Sequence, residues 1–148
     1  MKLEELGPVV RLWRRAREDA MPALEARMGH APTDDLAFFR DSVMRENEVF
    51  VALREEEPVA LLGLRDGVVG YLYVDPPAQR QGVGTALLDL AKRRSAGGLS
   101  LFTHRANRRA RDFCERRGFR AVRFGMSPAP EREPDVLYRW DPGDDGEA

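Results

Sequence analysis

The hydrophobic and polar positions of this chain follow two different periods, and each period predicts one kind of element. Over residues 8–43 the apolar side chains recur every three or four positions, which is the spacing of one helical face. We expect a first helix that Pro8 opens and that Met21–Pro22 ends or bends. A second helix is expected to run from an N-cap residue at Thr33 to Val43.

Short runs rich in β-branched and aromatic residues follow, and turn residues separate them. The runs VFVAL at 49–53, VALLGL at 59–64 and VVGYLYV at 68–74 each have the length and composition of a strand. The Asp66–Gly67 pair between the last two runs is a strong hairpin signal. We therefore predict a meander of three antiparallel strands.

Helices and strands alternate in the rest of the chain. Apolar residues at helical spacing predict a helix over residues 82–91, which Gly97–Gly98 closes, and LSLFTH at 99–104 is the next strand. Asn107 can cap a further helix, and Gly118 occupies the position where a left-handed residue ends it. Two last strands are predicted around residues 120–125 and 136–140.

This order of elements predicts the α/β class, more narrowly α+β, with a mixed sheet flanked by four helices. A chain of 148 residues with 43% hydrophobic content has the size of one ordinary domain with one core. We expect that domain to span residues 1–141. Residues 142–148, PGDDGEA, have nothing to bury and are expected to form a disordered acidic tail.

The cysteine, histidine and apolar content excludes several other classes of protein. Cys114 is the only cysteine, so an internal disulfide and a cysteine-based metal cage are excluded, and His30 and His104 lack ligand spacing. We therefore predict no metal. No apolar run is long enough for a signal peptide or a membrane span, so we expect a soluble protein of the cytoplasm.

Charge is strongly segregated, although the formal net charge is only -1. Residues 92–123 carry eleven Lys or Arg against two carboxylates, a net charge of +9, whereas residues 18–66 have a net charge of -7. A basic block of this kind attracts phosphates, either on nucleic acid or on a nucleotide-like cofactor. The alternative is a set of solvated helix faces without a ligand.

The sequence QRQGVG at residues 79–84 joins the strand that ends at Val74 to the next helix. The first N–H groups of a helix have no carbonyl partners within it and favour an anion. Gly82 and Gly84 leave the backbone open to a ligand, and Arg80 adds a positive charge. A phosphate or pyrophosphate is the expected occupant, although close helix packing can also explain glycines at a helix start.

Residues 74–88, VDPPAQRQGVGTALL, resemble the acyl-CoA-binding motif of the GNAT superfamily of N-acyltransferases, R/Q-x-x-G-x-G/A, which Gln79, Gly82 and Gly84 match. Residues 107–119, NRRARDFCERRGF, are similar to the helix that follows in that superfamily. The matching positions of this second block are Asn107, Ala110, Phe113, Gly118 and Phe119.

The resemblance implies a GNAT-like fold, with a mostly antiparallel central sheet of six or seven strands whose central strands splay apart. It also implies an enzyme that moves an acetyl group from acetyl-CoA to a primary amine by direct attack in a ternary complex. The acceptor would be a small-molecule or peptide amine. Pairing of exposed strand edges into a homodimer is compatible with the same fold.

The resemblance also implies which residues hold the cofactor. The backbone of Leu72, Tyr73 and Val74 would pair with the pantetheine amides, and one strand N–H would polarise the thioester carbonyl. The other cofactor-binding residues that it implies are Gln79, Arg80, Gln81, Gly82, Val83, Gly84, Thr85, Asn107 and Phe113.

The catalytic residues are less evident, because the sequence departs from the family pattern. Cys114 stands where many members carry a Tyr that protonates the CoA sulfur. Its thiol could donate that proton, or the residue could be a small buried hydrophobe. Tyr71, Tyr73, Glu48, His104 and a chain of waters are alternatives for deprotonating the amine. Our catalytic candidates are Cys114, Tyr73 and His104.

Acceptor specificity would come from the first two helices, including Trp13, His30 and Phe38, and from the loop that runs from Gly125 to Pro134. Trp13 also fits a core position. The acidic segment 18–66 mildly favours a cationic amine.

Two other functions fit the sequence. The basic block 92–123 could serve a nucleic-acid-binding module, although its arginines surround a helix rather than forming one stripe. A catalytically inactive acyl-CoA-binding protein of the same fold would account for the missing Tyr and for a strand 71–74 without a carboxylate.

Overall fold

A computed structural model of the chain describes residues 3–144. Its helices are α1 (Leu3–Ala20), α2 (Pro22–Met28), α3 (Pro32–Phe38), α4 (Met44–Glu46), α5 (Val83–Arg93) and α6 (Arg108–Arg116). A π-helical turn, Phe39–Val43, joins α3 to α4, and a 3₁₀ turn, Pro76–Ala78, precedes α5. The strands are β1 (Glu48–Arg54), β2 (Glu57–Arg65), β3 (Val68–Val74), β4 (Leu99–His104), β5 (Arg120–Met126) and β6 (Pro134–Trp140).

The strands form one sheet in the order β1-β2-β3-β4-β6-β5. β1 runs antiparallel to β2, and β6 runs antiparallel to both β4 and β5. β3 and β4 are parallel and pair Val68 with Ser100 and Val69 with Leu101. The predicted mixed, mostly antiparallel sheet with flanking helices is confirmed, with six strands. The splay of its central strands stays a prediction.

The chain packs as two compact units. The first comprises the residues up to Arg65 together with Gly70–Asp89. The second comprises Asp66–Val69 together with the residues from Leu90 onward. That residues 1–141 make a single domain stays a prediction.

The core of the first unit is built by α1, the π-helical turn and β2. α1 contributes to it because its apolar residues recur on one helical face, and burial of this surface is the main term that favours folding. Tyr71 and Tyr73 of β3 pack against this cluster with partly buried side chains. The buried members are Leu6, Val9, Val10, Leu12, Trp13, Phe39, Val43 and Leu61.

The core of the second unit includes apolar residues at alternate positions of two neighbouring strands. Leu99 and Leu101 of β4 are buried, as are Val136, Tyr138 and Trp140 of β6. The antiparallel register pairs Leu99 with Trp140 and Leu101 with Tyr138. Because side chains alternate across a strand, these residues share one face of the sheet.

β5 forms one edge of the sheet, and all of its residues are exposed. Val122, Phe124 and Met126 are the large apolar side chains among them. The guanidinium groups of Arg105 and Arg111 lie 5.3 and 5.7 Å from the Phe124 ring centroid. Cations at this distance interact favourably with an aromatic ring, so basic side chains cover part of the apolar edge.

The errors of the sequence-based prediction lie in the first helical region. α2 was not predicted; it ends at Gly29, whose φ of +65° is left-handed. The helix expected from Thr33 begins instead at Pro32, with Ala31 as its N-cap residue. The reason is that Asp34 Oδ2 accepts a hydrogen bond from Ala31 N at 2.8 Å, which satisfies a backbone donor one residue before the expected helix start.

Two tight turns connect the first three strands. The predicted Asp66–Gly67 turn is confirmed, with φ of +48° and +75°. The turn between β1 and β2 uses Glu55 and Glu56 instead, with φ of +51° and +69°. A left-handed backbone costs about 1–2 kcal/mol at a residue with a side chain, so this second turn stores strain.

The end of the described chain forms a turn. Asp144 N donates to Asp141 O at 2.9 Å, and the guanidinium of Arg120 contacts both carboxylates. Residues 145–148 of the predicted acidic tail lie outside the described residues. Between residues 3 and 144, no helix has the length and apolar content needed to span a membrane.

Candidate functional site

Residues 75–82, here called the glycine loop, connect β3 to α5 in the first unit. Asp75 N donates to Val59 O of β2 at 2.8 Å, which ties the start of the loop to the sheet. Ala78 N then donates to Asp75 O at 2.8 Å and closes the 3₁₀ turn. The loop therefore leaves the sheet in a defined backbone conformation.

Gly82 ends the loop, and its φ of +85° is left-handed, which favours glycine. A Cβ at this position would meet no atom within 4 Å, so close packing does not explain the glycine. The Ala86 N to Gly82 O hydrogen bond, 3.0 Å, belongs to the first turn of α5. The amides of Val83 and Gly84 come before it, at the helix N-terminus, where backbone N–H groups favour an anion.

Two glutamine side chains of the loop bond to backbone carbonyls, and one arginine is exposed. Gln79 Nε2 donates to Val74 O at 3.1 Å, and Gln81 Nε2 donates to Pro77 O at 3.2 Å. The Gln79 amide thus holds the loop to the end of β3, whereas the Gln81 amide bonds within the loop. Arg80 is exposed and has a left-handed φ of +65°, and strained residues of this kind cluster at functional sites.

Two residues of α1 reach the glycine loop. Arg15 Nε and Nη2 donate to Asp75 Oδ1 and Oδ2 at 2.9 and 3.0 Å, a bidentate pair. The hydrogen bond to Asp75 is the main cause that raises the pKa of Arg15. Asp19 Oδ2 accepts a further hydrogen bond from Gln79 Nε2 at 3.3 Å. α1 therefore contacts both the start and the middle of the loop.

The strand before the loop offers no evident base. The Tyr71 ring lies edge-on to Trp13, with centroids 6.0 Å apart. Burial, and then the charge of Glu46, raise the pKa of Tyr71, so its phenol is a weak acid. Tyr73 packs against the same core, and Glu48 is exposed on β1. The predicted cofactor residues that are half-buried here are Leu72, Tyr73, Val74, Val83, Gly84 and Thr85.

His104 ends β4 in the second unit. Its Nε2 lies 3.7 Å from Glu131 Oε1, and both side chains are partly exposed. Its Nδ1 is buried and has no hydrogen-bond partner within residues 3–144. The separation between Nε2 and Glu131 is longer than a hydrogen bond, so this contact does not determine which ring nitrogen carries the proton.

The other predicted residues of the second unit lie on α6. Burial, and then the neighbouring charge of Glu115, raise the pKa of the Cys114 thiol to about 12, which makes it a weak proton donor. Asn107 caps the helix as predicted, because its Oδ1 accepts from Ala110 N at 3.2 Å. Phe113 is half-buried, and the Arg117 guanidinium lies 5.0 Å from its ring centroid.

Sequence reasoning missed a network that fastens α6 to β6. The buried Tyr138 donates its hydroxyl hydrogen to Glu115 Oε2 at 2.6 Å and accepts from Arg111 Nε at 3.1 Å. Burial first, and then the hydrogen bond to Glu115, raise the pKa of Tyr138. The partners lie more than twenty residues apart in the chain, so no local pattern reveals them.

Part of the basic block 92–123 makes internal contacts. Arg111 bonds Tyr138, and Arg120 pairs with the carboxylates after β6. Lys92 Nζ donates to the Arg117 carbonyl at 2.7 Å. These cations have partners within the second unit, which weakens the interpretation of the block as a nucleic-acid surface.

The predicted acceptor residues of the first unit differ in exposure. Trp13 is buried in the core, whereas Phe38 is 50% exposed and stacks on Trp13 with centroids 6.1 Å apart. His30 is exposed, and its carbonyl accepts a hydrogen bond from Arg14. In the described part of the chain, no group of three or more His, Cys, Asp or Glu could hold a metal ion.

A family model described as Acetyltransferase (GNAT) family matches residues 12–119. Among solved structures, apo-form YjaB from Escherichia coli is 22% identical with a TM-score of 0.78, over 95% of this chain and 93% of that one. PaiA N-acetyltransferase from Thermoplasma acidophilum, in complex with coenzyme A, is 14% identical with a TM-score of 0.67, over 95% of each chain. No curated protein sequence matches significantly.

The ribosomal-protein-S18-alanine N-acetyltransferase from Escherichia coli also has this fold. It is 19% identical with a TM-score of 0.65, over 95% of this chain and 89% of that one. At these identities the three structures show a shared fold. The family match covers both sequence blocks that carried the resemblance, the glycine loop and α6.

Proposed function

Because the chain belongs to the GNAT acetyltransferase family, we propose that it is an N-acetyltransferase that moves an acetyl group from acetyl-CoA to a primary amine. Gly82 is the observation that carries the assignment of the donor site. Its left-handed backbone faces open space beside the N-terminus of α5, and the exposed Arg80 is two residues away. This arrangement fits the pyrophosphate of coenzyme A.

Backbone amides at the start of α5 would hold the pyrophosphate, with Arg80 supplying an opposite charge. Leu72, Tyr73 and Val74 would contribute backbone groups to the pantetheine arm. Acetyl-CoA supplies the activated thioester. The protein's remaining task is to bind the acceptor amine in its neutral form and in line with the acyl carbon.

We assign deprotonation of the amine to His104. The family resemblance implies that the end of β4 lines the acyl group, and Glu131 lies on the Nε2 side of the ring. Because Nδ1 is buried, the partly exposed remainder of the ring would have to contact the amine. Tyr73 remains the alternative base. Cys114 is assigned a packing role, because its raised pKa opposes proton donation.

A cationic amine is the proposed acceptor class. The segment 18–66, with its net charge of -7, belongs to the first unit apart from its last residue, and negative potential raises the local concentration of cations. The solved relatives include an enzyme named for the alanine of a ribosomal protein. Peptide N-termini therefore belong in the substrate screen together with polyamines and aminoglycosides.

The direct test measures release of free thiol from acetyl-CoA across polyamines, aminoglycosides, amino acids and peptide N-termini, with mass spectrometry of the acceptor. Gly82→Val should weaken coenzyme A binding by about tenfold or more in calorimetry. Gly29→Val is the matched control, because Gly29 is also exposed, left-handed and without neighbours within 4 Å. Equal affinities of the two variants would overturn the donor-site assignment.

A second function, acyl-CoA binding without catalysis, is favoured by the buried Cys114 at the position of the usual acid. The same screen separates the two functions. Coenzyme A binding with no thiol release on any acceptor supports the inactive binder. The enzyme is supported if the wild-type protein turns over an acceptor and His104→Gln abolishes this turnover without changing the affinity for coenzyme A.

A further inference from the structure

Arg15 and Asp19 are one turn apart on α1, so their side chains project from the same face of the helix. Arg15 meets Asp75 at the start of the glycine loop, and Asp19 meets Gln79 in its middle. Neither contact follows from the sequence, because each joins residues 60 positions apart. One face of α1 therefore contacts the loop at two points.

Asp75 and Gln79, the loop residues that α1 contacts, are also hydrogen-bonded to strands of the sheet. The backbone N–H of Asp75 donates to Val59 O of β2 at 2.8 Å, while its carboxylate receives the two guanidinium donors of Arg15. The Gln79 amide donates to Val74 O at the end of β3 at 3.1 Å. The loop is thus held between α1 and the ends of two strands.

The residues that follow Asp75 and Gln79 in the loop include one with an unfavourable backbone conformation. Arg80 and Gly82 are both left-handed, with φ of +65° and +85°. At Arg80 the side chain makes this conformation unfavourable, and such conformations persist only where the surroundings determine them. Gln79 directly precedes Arg80, so the hydrogen bonds of the Gln79 side chain are well placed to impose this conformation.

We propose that Arg15 and Asp19 are positioning residues that hold the glycine loop in its anion-binding conformation. The inference rests on the proposed function, since it assigns the loop to the coenzyme A pyrophosphate. It goes beyond it by giving α1 a role in donor binding through residues that match no motif.

A simple electrostatic effect makes the opposite prediction for one variant. Asp75→Ala removes a negative charge beside the loop and releases Arg15, so electrostatics alone would strengthen the binding of an anion. Loss of positioning would weaken it. The sign of the change in coenzyme A affinity therefore separates the two explanations.

The experiment measures the Kd of coenzyme A by calorimetry, KM for acetyl-CoA and for the acceptor, and thermal stability. We expect Asp75→Ala and Arg15→Gln each to raise the Kd and the acetyl-CoA KM by about three- to tenfold, with the acceptor KM nearly unchanged. The exchange Arg15→Asp with Asp75→Arg should restore part of the affinity. Melting temperatures should change little, because the Arg15 side chain is 50% exposed and ion pairs with a solvent-exposed partner contribute little to stability.

Arg40→Gln and Asp41→Ala are the matched controls. Arg40 and Asp41 form a pair of the same bidentate geometry, at 2.9 and 3.1 Å, between neighbouring residues on the surface of the same unit. If the wild-type protein binds coenzyme A, and Asp75→Ala binds it as tightly as Asp41→Ala does or more tightly, the positioning role is overturned and the proposed function is not. Wild-type protein that does not bind coenzyme A overturns the proposed function and this inference with it.

Discussion

Asp35 joins α3 to α1 through two arginines, and its replacement by alanine measures how strongly a buried charge network stabilises the first unit. Asp35 is 4% exposed and lies 2.6 Å from Arg14 Nε and 3.0 Å from Arg17 Nη2. Arg17 is only 10% exposed, and its guanidinium lies 4.1 Å from the Trp13 ring centroid. It therefore cannot turn freely to solvent when Asp35 is removed.

The expected magnitude follows from these contacts. Removing one partner of a buried ion pair costs about 3–5 kcal/mol. The cost is reduced here because Arg17 keeps Glu25 at 3.1 Å, and Arg14, at 28% exposed, can reach water. We expect Asp35→Ala to lower the free energy of unfolding by about 2–4 kcal/mol. For a domain of this size, that lowers Tm by roughly 5–12 °C.

Urea and thermal unfolding, followed by circular dichroism and tryptophan fluorescence, provide the measurement. Asp41→Ala is again the matched control, because Arg40 and Asp41 pair at 2.9 Å with both side chains about half exposed. An exposed pair contributes about 0–1 kcal/mol. The reasoning is refuted if Asp35→Ala and Asp41→Ala differ by less than about 0.5 kcal/mol.

Three further predictions concern residues outside this network. Because burial raises the pKa of Cys114 from its ordinary value of 9.0 to about 12, iodoacetamide at pH 9 should label native protein far more slowly than unfolded protein. Equal labelling rates would contradict the burial of the thiol. As pH rises, the unfolded chain loses the thiol proton before the folded chain does, so the free energy of unfolding should fall between pH 9 and 12. This fall should be smaller in Cys114→Ser. Glu55→Asn combined with Glu56→Gly should raise the free energy of unfolding by about 1–2 kcal/mol with unchanged turnover, because both residues are left-handed. Thr103→Val should stabilise the ligand-free protein by about 1 kcal/mol in thermal unfolding, because Oγ1 is buried without a partner in the described chain; a lower Tm would show that the hydroxyl is satisfied.

The parts of the fold that could be predicted are those in which one short segment carries the whole signal. The Asp66–Gly67 turn, the cap at Asn107 and the left-handed Gly118 each depend on a residue and its immediate neighbours. The start of α3 was misplaced for a related reason. Thr33 is a good cap residue, but Asp34 accepts a hydrogen bond from Ala31 N and moves the helix start. These two ways of beginning a helix have similar strength, and sequence alone does not rank them.

The candidate site shows the same division. The glycine loop could be predicted, because Arg80, Gly82 and Gly84 stand within five consecutive residues of the chain. The contacts that hold it could not, because Arg15 and Asp75 meet only after α1 has packed on the sheet. Cys114 shows a third case: its position in a motif was evident, but whether its thiol could donate a proton depended on burial, which is a property of the packed structure.

The exposed edge strand β5 has a consequence for solubility. An outermost strand presents a row of backbone amides and carbonyls that another strand can extend, and Val122, Phe124 and Met126 add apolar side chains to this template. Arg123 interrupts that apolar series and Arg120 precedes it, and charged residues at such places protect a strand against aggregation. Arg123→Val would turn residues 121–124 into an unbroken apolar stretch and should make the protein prone to self-assembly at high concentration.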